Sequence, residues 1–352
     1  MVLLLSWMGM VLPQGTTAAC EVETGGSRKD EPLIIRLPPS CTPLEREARA
    51  VDGSTILKAA ARGRAVNLVG VIVRGDLILD PLTVQADSLT DKAGSEQRTT
   101  ANFRNVGEHR SVREAITIRD SVVRGAVRHR SATGRLQFEG PLDFRRTVFK
   151  DGVDLSRSDF QQQVLLSGAT FEKEAFFVQG RFAQGLECKE TKFGPHTRFH
   201  RSTFGGPVDC ADALFDGLAE LLEVSFEESV SFERARFGLG TGFSGSRFKR
   251  RSTFDDAIFS REAFFSFSVF EGEVSFAGTQ FLGRTDFSDA EFKRPDNLAK
   301  ARFDQPPGFM RTKRNAQTQE AELESSPAAQ YAVTILCLIV AAMLVGYALR
   351  LK

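Results

Sequence analysis

From Phe138 to Phe309 large apolar residues recur at spacings that alternate between six and five. The run opens Phe138, Phe144, Phe149, Leu155, Phe160, Leu166, Phe171, Phe177 and Phe182, passes through Cys188 and Cys210, and closes at Phe303 and Phe309. Two steps sum to an 11-residue unit. Two residues before nearly every such position sits a small or β-branched residue. Ala169, Ala213, Ala235, Ser246, Ala257, Ala290 and Ala301 are examples, with Val208, Val230, Val274 and Thr285 in the other half-unit. Residues i−2 and i share a face when the chain is extended. The positions between are mostly polar or Gly, as at Asp143, Asp154, Asp209, Asp286, Ser288 and Asp289. The pattern predicts short strands with an apolar inner face and a wet outer one. A right-handed coiled coil also has an 11-residue period. The region is dense in Gly, however, and each Gly costs about 1 kcal/mol in a helix interior.

A coil made of one such unit is too narrow to hold two Phe rings. Twice that unit gives four sides of five, six, five and six residues. Written at this doubled period, Phe160, Phe182, Phe204, Phe226, Phe248, Phe270 and Phe292 form one vertical column. Phe171, Phe193, Phe215, Phe237, Phe259, Phe281 and Phe303 form another. Adjacent coils are expected about 4.8 Å apart, the strand spacing. Burying about 150–250 Å² per ring at about 25 cal/mol per Å² makes each ring a contribution of several kcal/mol before entropy is subtracted.

Small at i−2 and large at i, in tandem fives, resembles the pentapeptide-repeat family over about residues 64–309. The resemblance implies an all-β fold, a right-handed quadrilateral parallel β-helix. Phe replaces the family's central Leu, and every second side carries an extra residue, so some sides are expected to bulge.

The flanks differ. Residues 1–20 (MVLLLSWMGMVLPQGTTAAC) read as a signal peptide, with an apolar stretch, Pro13 and small residues at 17–19, although no Lys or Arg precedes the apolar stretch. Residues 21–47 are expected to form an extended lead-in and 48–63 a capping helix, with Ser54 as N-cap candidate and Gly63 as its end. Val66, Val71, Leu77 and Leu82 make a first coil, 83–113 a loop insertion, and Ile116, Val122 and Val127 restore the register. After a linker at 310–327, residues 328–349 contain no charge and are long enough to span a bilayer, leaving 350–352 as a cytoplasmic tail. The lipid bilayer is thus an expected partner. Cations flank the span on both sides (Arg311, Lys313, Arg314; Arg350, Lys352), so orientation rests on the leader: a single-pass protein with its solenoid periplasmic or extracellular.

Composition narrows the function. The chain has 30 Phe against 2 Tyr and 1 Trp, and a net charge of +1. That balance gives no electrostatic footprint for nucleic acid, nor the acidity of a DNA mimic that protects a topoisomerase, as some pentapeptide-repeat proteins are. Cys188 and Cys210 stack one coil apart, within disulfide reach. Two buried thiols standing in for Phe are the favoured reading. Cys20 and Cys41 are a second candidate pair, and Cys337 is apolar filler in the span. His109, His129, His196 and His200 read as exposed surface residues. The doublets Glu227–Glu228 and Asp255–Asp256 read as solvated turns, and the basic run Arg247–Arg251 as one wet turn. No catalytic, cofactor-binding or metal-ligating set is identified. Phe176, Phe264 and Phe267 do not fit inward positions. Phe176 and Phe264 lie four coils apart, which makes these three the candidate contact surface. The expectation is a non-catalytic scaffold at the cell envelope that engages a protein partner. The alternative is a carbohydrate-binding or carbohydrate-active β-helix. Its exported part has no Tyr or Trp, the rings that sugar sites favour.

Overall fold

In the computed structural model, residues 20–26, 31–80, 109–129 and 134–315 are described. Among them the chain winds as a parallel β-solenoid with four sheets. Side 1 runs from Leu33–Arg36 to Val274–Ser275, and side 2 from Val51–Asp52 to Arg302–Phe303. Side 3 runs from Leu77–Ile78 to Thr285–Asp286, and side 4 from His109–Val112 to Glu291–Phe292. From Arg135 onward the register advances by the doubled unit at each coil: Phe160 pairs with Phe182, and Phe182 with Phe204. The coils just before are longer, since Leu77 pairs with Val127 and Val127 with Val153, and Val123 rather than Val122 points inward there.

The axis is filled with rings. In the side 4 column Phe182 and Phe204 stack with centroids 4.6 Å apart, and Phe226 and Phe248 at 4.9 Å. In the side 2 column Phe237 and Phe259 lie at 4.6 Å with planes 3° apart. Rings from the opposite sides 1 and 3 meet edge to face, as Phe243 and Phe254 do at 5.5 Å and 84°. Both arrangements suit the aromatic quadrupole. The inward Phe residues from 138 to 292 are all buried.

The alternation of five and six separates two kinds of corner. The five-residue steps turn from side 1 to side 2 and from side 3 to side 4. Each is a β-turn that starts at an inward large residue. Phe144 O accepts from Thr147 N at 3.2 Å, and Phe177 O from Gly180 N at 3.1 Å. The third turn residue is left-handed, as a type II turn requires. All thirteen non-Gly residues with positive φ among the described residues sit at this place, from Asp120 through Arg146 and Arg201 to Arg311, with φ of 52–59°. Gly168, Gly245 and Gly278 take it elsewhere. Each left-handed non-Gly residue costs about 1–2 kcal/mol. The backbone recovers part of this because its N–H continues the ladder round the corner: Gln179 N donates to His200 O at 2.8 Å. The fourth turn residue is the small one that precedes each ring. Where it is Ser or Thr, its hydroxyl in most turns donates to the turn carbonyl of the coil before, as Ser202 Oγ does to Phe177 O at 2.7 Å and Thr147 Oγ1 to Ile118 O at 2.7 Å. Ser121 Oγ donates instead to Arg119 O, and Ser158 Oγ has no partner among the described residues. The extra residue of the six-residue steps is therefore accommodated at the other two corners and does not bulge the sides.

The N-terminal end is closed by helices. In segment 21–47, expected to be an extended lead-in, the described residues 21–26 and 31–47 instead form part of the rod. Strand Glu23–Gly25 pairs antiparallel with Leu33–Arg36, which itself pairs parallel with Val66–Val69. Helix α1 (Pro43–Ala48) follows, with Thr42 and Glu45 in a reciprocal capping box. Strand Val51–Asp52 then lays down side 2. The capping helix, expected over 48–63, is α2 (Gly53–Ala61), which buries Ile56, Ala59 and Ala60 across the open end. Gly53 starts it because a Cβ there would lie 2.6 Å from Asp76 O. Cys20 and Cys41 are joined by a disulfide, with Cα atoms 4.7 Å apart. The coil thus begins at Leu33 rather than at residue 64.

Two other boundaries move. Residues 109–112, expected inside the loop, form a strand paired with Arg135–Phe138. At the far end the coil runs past Phe309, since Asp286 bridges Gly308 and Glu291 bridges Lys313. The leader at 1–19, most of the loop, and the span at 328–349 lie outside the described residues. Among the described residues no helix is long and apolar enough to cross a membrane.

Phe226 stacks between Phe204 and Phe248. Replacing it with Ala is expected to cost about 3–5 kcal/mol, whereas Leu44→Ala on α1, where Leu44 is 82% exposed, changes stability by less than about 0.5 kcal/mol. Urea denaturation compares the two, and equal midpoints contradict a ring column that stabilises the rod.

Candidate interaction surface

With the axis packed, polar chemistry is confined to the outer faces and corners. Side 3 is the face where aromatic and charged groups meet. Strand register sets its outward column as Arg128, Asp154, Phe176, Arg198, Glu220, Gly242, Phe264 and Asp286. Phe176 and Phe264 therefore do share one face, four strands apart. Phe267 sits on the neighbouring corner between sides 3 and 4, left-handed at φ 59° and 63% exposed.

A small network is built around Phe176. The Arg198 guanidinium lies over its ring, 5.2 Å from the centroid. The His196 ring meets it edge-on at 5.3 Å. Glu220, one coil further on, pairs with Arg198 and lies 3.1 Å from His196 Nε2. Burial pushes the Glu220 carboxyl up, but the hydrogen bonds from His196 and Arg198 outweigh it and hold the group below its ordinary range. On the other flank of Phe176 a shallow cavity of about 190 Å³ is lined by Arg128, Asp151, Asp154 and Glu174 among others. Phe176 stands out in the sequence as a ring out of phase, whereas the network around it was missed there. Its signal was available, because Arg198 and Glu220 are separated by one full coil of sequence.

The same spacing pairs charges along the corners. Arg201 meets Glu223 at 2.8 Å, Arg234 meets Asp212 at 2.8 Å, and Arg311 meets Asp289 at 2.6 Å. Hydrogen bonds from these arginines hold Glu223, Asp212 and Asp289 below their usual values. The basic run near Phe248 is not one turn. Arg247 lies on a strand and pairs with Glu271 at 2.6 Å, and Lys249 pairs with Glu227 at 2.5 Å. Asp255 accepts from Ala277 N at 3.0 Å, and Asp256 is a left-handed corner residue.

The histidines do not all lie exposed. His129 is 6% exposed, because it follows Val127 at the position that Leu79 holds one coil earlier. Its Nδ1 lies 3.3 Å from Ser156 O. His196 is half-buried in the network above. Asp143 points outward but is covered by Arg145, at 2.7 Å, and Arg119. Cys188 and Cys210 occupy successive inward positions on side 1. They are joined by a disulfide, with Cα atoms 4.5 Å apart. Among the described residues no group of three or more His, Cys, Asp or Glu is placed to hold a metal ion.

Residues 211–258 and 254–302 match a family described as Pentapeptide repeats (9 copies). No curated protein matches the chain. The matched stretch is the most regular part of the coil, where Phe holds nearly every inward large position.

Alkylation without reduction is expected to label at most one cysteine, and all five only after reduction in denaturant. Mass spectrometry counts them, and three or more labelled without reduction removes a disulfide. Acid is expected to weaken the rod. A carboxyl with a depressed folded pKa contributes stability above its unfolded value, and that contribution is lost as pH falls through the folded one. For Glu220 the window lies below 4.5. Thermal melts between pH 6 and pH 3 are expected to fall less steeply for Glu220→Gln than for the parent.

Proposed function

We propose that this pentapeptide-repeat β-solenoid is a membrane-anchored, non-catalytic scaffold at the cell envelope, and that it holds a protein partner against side 3. The observation that carries the reading is the filled axis. Ring stacking occupies the interior of the coil, so a ligand must bind on the outer surface. A stack of parallel strands offers it long faces with residues at fixed spacing. Side 3 supports the choice of face. There Phe176 and Phe264 are half-buried apolar groups on one column, with Arg198 and Glu220 between them. Aromatic residues with arginine nearby are the composition of binding hot spots. Anchoring is supported by the charge-free run at 328–349. The leader-like start supports an exported rod. The near-neutral balance and the scarcity of Tyr and Trp speak against nucleic acid and sugar as ligands.

Photo-crosslinkers placed at 176 and 264 in intact cells are expected to capture the same envelope protein. A crosslinker at Lys192, which faces outward from side 2, is expected not to. Capture of soluble cytosolic proteins alone, or equal capture from side 2, sinks the reading.

A further inference from the structure

The two ends of the rod differ. The N-terminal end is plugged by α2. The last rung, residues 293–315, is charged and has no α-helix over it among the described residues. It holds seven Lys or Arg against two Asp, in a chain whose net charge is +1 overall. Lys293, Arg294, Lys300, Arg302, Arg311 and Lys313 are all exposed. Of these, Arg311 pairs with Asp289, Arg302 with Asp304 and Lys293 with Glu271, whereas Arg294, Lys300 and Lys313 carry the excess positive charge. At the corner between sides 3 and 4, Phe309 is 38% and Met310 62% exposed, two adjacent large apolar residues facing water. The Phe309 ring is held from within the rod by stacking on Phe287 at 5.5 Å. From the side it is held by Arg314, whose guanidinium lies 5.9 Å from its centroid and pairs with Asp296.

On sides 1 and 3 the edge of this rung is unsuited to another strand. Where side 1 would add a strand after Val274–Ser275, the chain carries Pro295 and a 3-10 turn at Leu298–Lys300. Where side 3 would continue, Pro306 and Pro307 precede Gly308. Proline has no N–H for a ladder, and such breaks blunt an edge against strand addition. A second copy stacked end to end is thus disfavoured. An apolar pair ringed by cations fits a surface with an apolar interior and an anionic skin. The chain leads there too. Only the segment 316–327 separates Asn315 from the charge-free run that begins at Ala328. That segment reaches no more than about 45 Å when fully extended.

We propose that the last rung docks on an anionic lipid surface, with Phe309 and Met310 at headgroup depth and the exposed cations on lipid phosphates. The proposal rests on the membrane-anchored reading above. It makes the rod stand on its C-terminal end, with side 3 running away from the membrane.

The test uses full-length protein with Trp7, the chain's single tryptophan, replaced by Phe. One variant adds Met310→Trp and a second adds Leu44→Trp at the opposite end. Each is reconstituted in phosphatidylglycerol/phosphatidylcholine vesicles whose acyl chains are brominated near the headgroup. Severalfold stronger quenching at position 310 than at 44, reduced in phosphatidylcholine alone, supports docking. Vesicles that float with the protein but quench both positions weakly overturn docking and leave anchoring intact. Failure to float overturns both. In detergent without lipid, shielding of position 310 from aqueous iodide means that the end is already covered by a second copy or by residues 328–349, and this overturns the proposal.

Discussion

Backbone pairing between successive coils is the constraint on which everything else depends. A parallel ladder demands that each turn of the chain return to the same place, and from Leu142 onward it does so after the same number of residues. Only then can an aromatic ring sit over an aromatic ring. The stacked columns on sides 2 and 4 depend on that return. So do the left-handed corner residues, each placed two positions after an inward large residue. A five-residue side closes only through a tight turn, and a tight turn of this kind needs positive φ. The protein accepts this strain at non-Gly residues because the corner N–H groups and the Ser and Thr hydroxyls keep the ladder bonded there.

A packed axis also decides where chemistry can reside. The outward positions carry the polar residues, and their charges pair across coils: Arg201 with Glu223, Arg234 with Asp212, Lys249 with Glu227. Exposed pairs of this sort add little stability individually. Their effect here is to keep most of the surface electrically quiet. Against that background the Phe176 network on side 3 and the cationic last rung are distinct.

The coil was legible in the sequence because one ring shape recurs at a strict interval and a small residue precedes it. The reason for the small residue was not legible. It closes a β-turn, and that emerges only once the corner is built. The N-terminal coil escaped notice because strands Leu33–Arg36 and Val51–Asp52 occupy two sides, α1 intervenes between them and α2 takes the place of the other two, so no alternation of five and six marks it. His129 was misplaced for a related reason. Val127 pairs with Val153, 26 residues on rather than 22, so a strict spacing carried back from Phe138 marks Val127 instead of His129 as the inward large position. Asp143 looked wet because its cover, Arg119 and Arg145, comes partly from a different coil. Phe176, Phe264 and Phe267 stood out as rings in the wrong phase. The partners of Phe176 were just as readable, since charges one coil apart in sequence must be neighbours on such a rod.

A fixed rise per coil makes the outer face a ruler. At about 4.8 Å per strand, Phe176 and Phe264 are tick marks about 19 Å apart. Adding or deleting a whole coil between them would change that span by one increment and leave every side chain's direction intact. A residue added within a strand would turn the side chains after it to the other face, whereas one added at a corner is accommodated there, as the longer coils near the N-terminal end show. Distance along this molecule is therefore adjustable only in steps, and anything that grips both rings must match one of them.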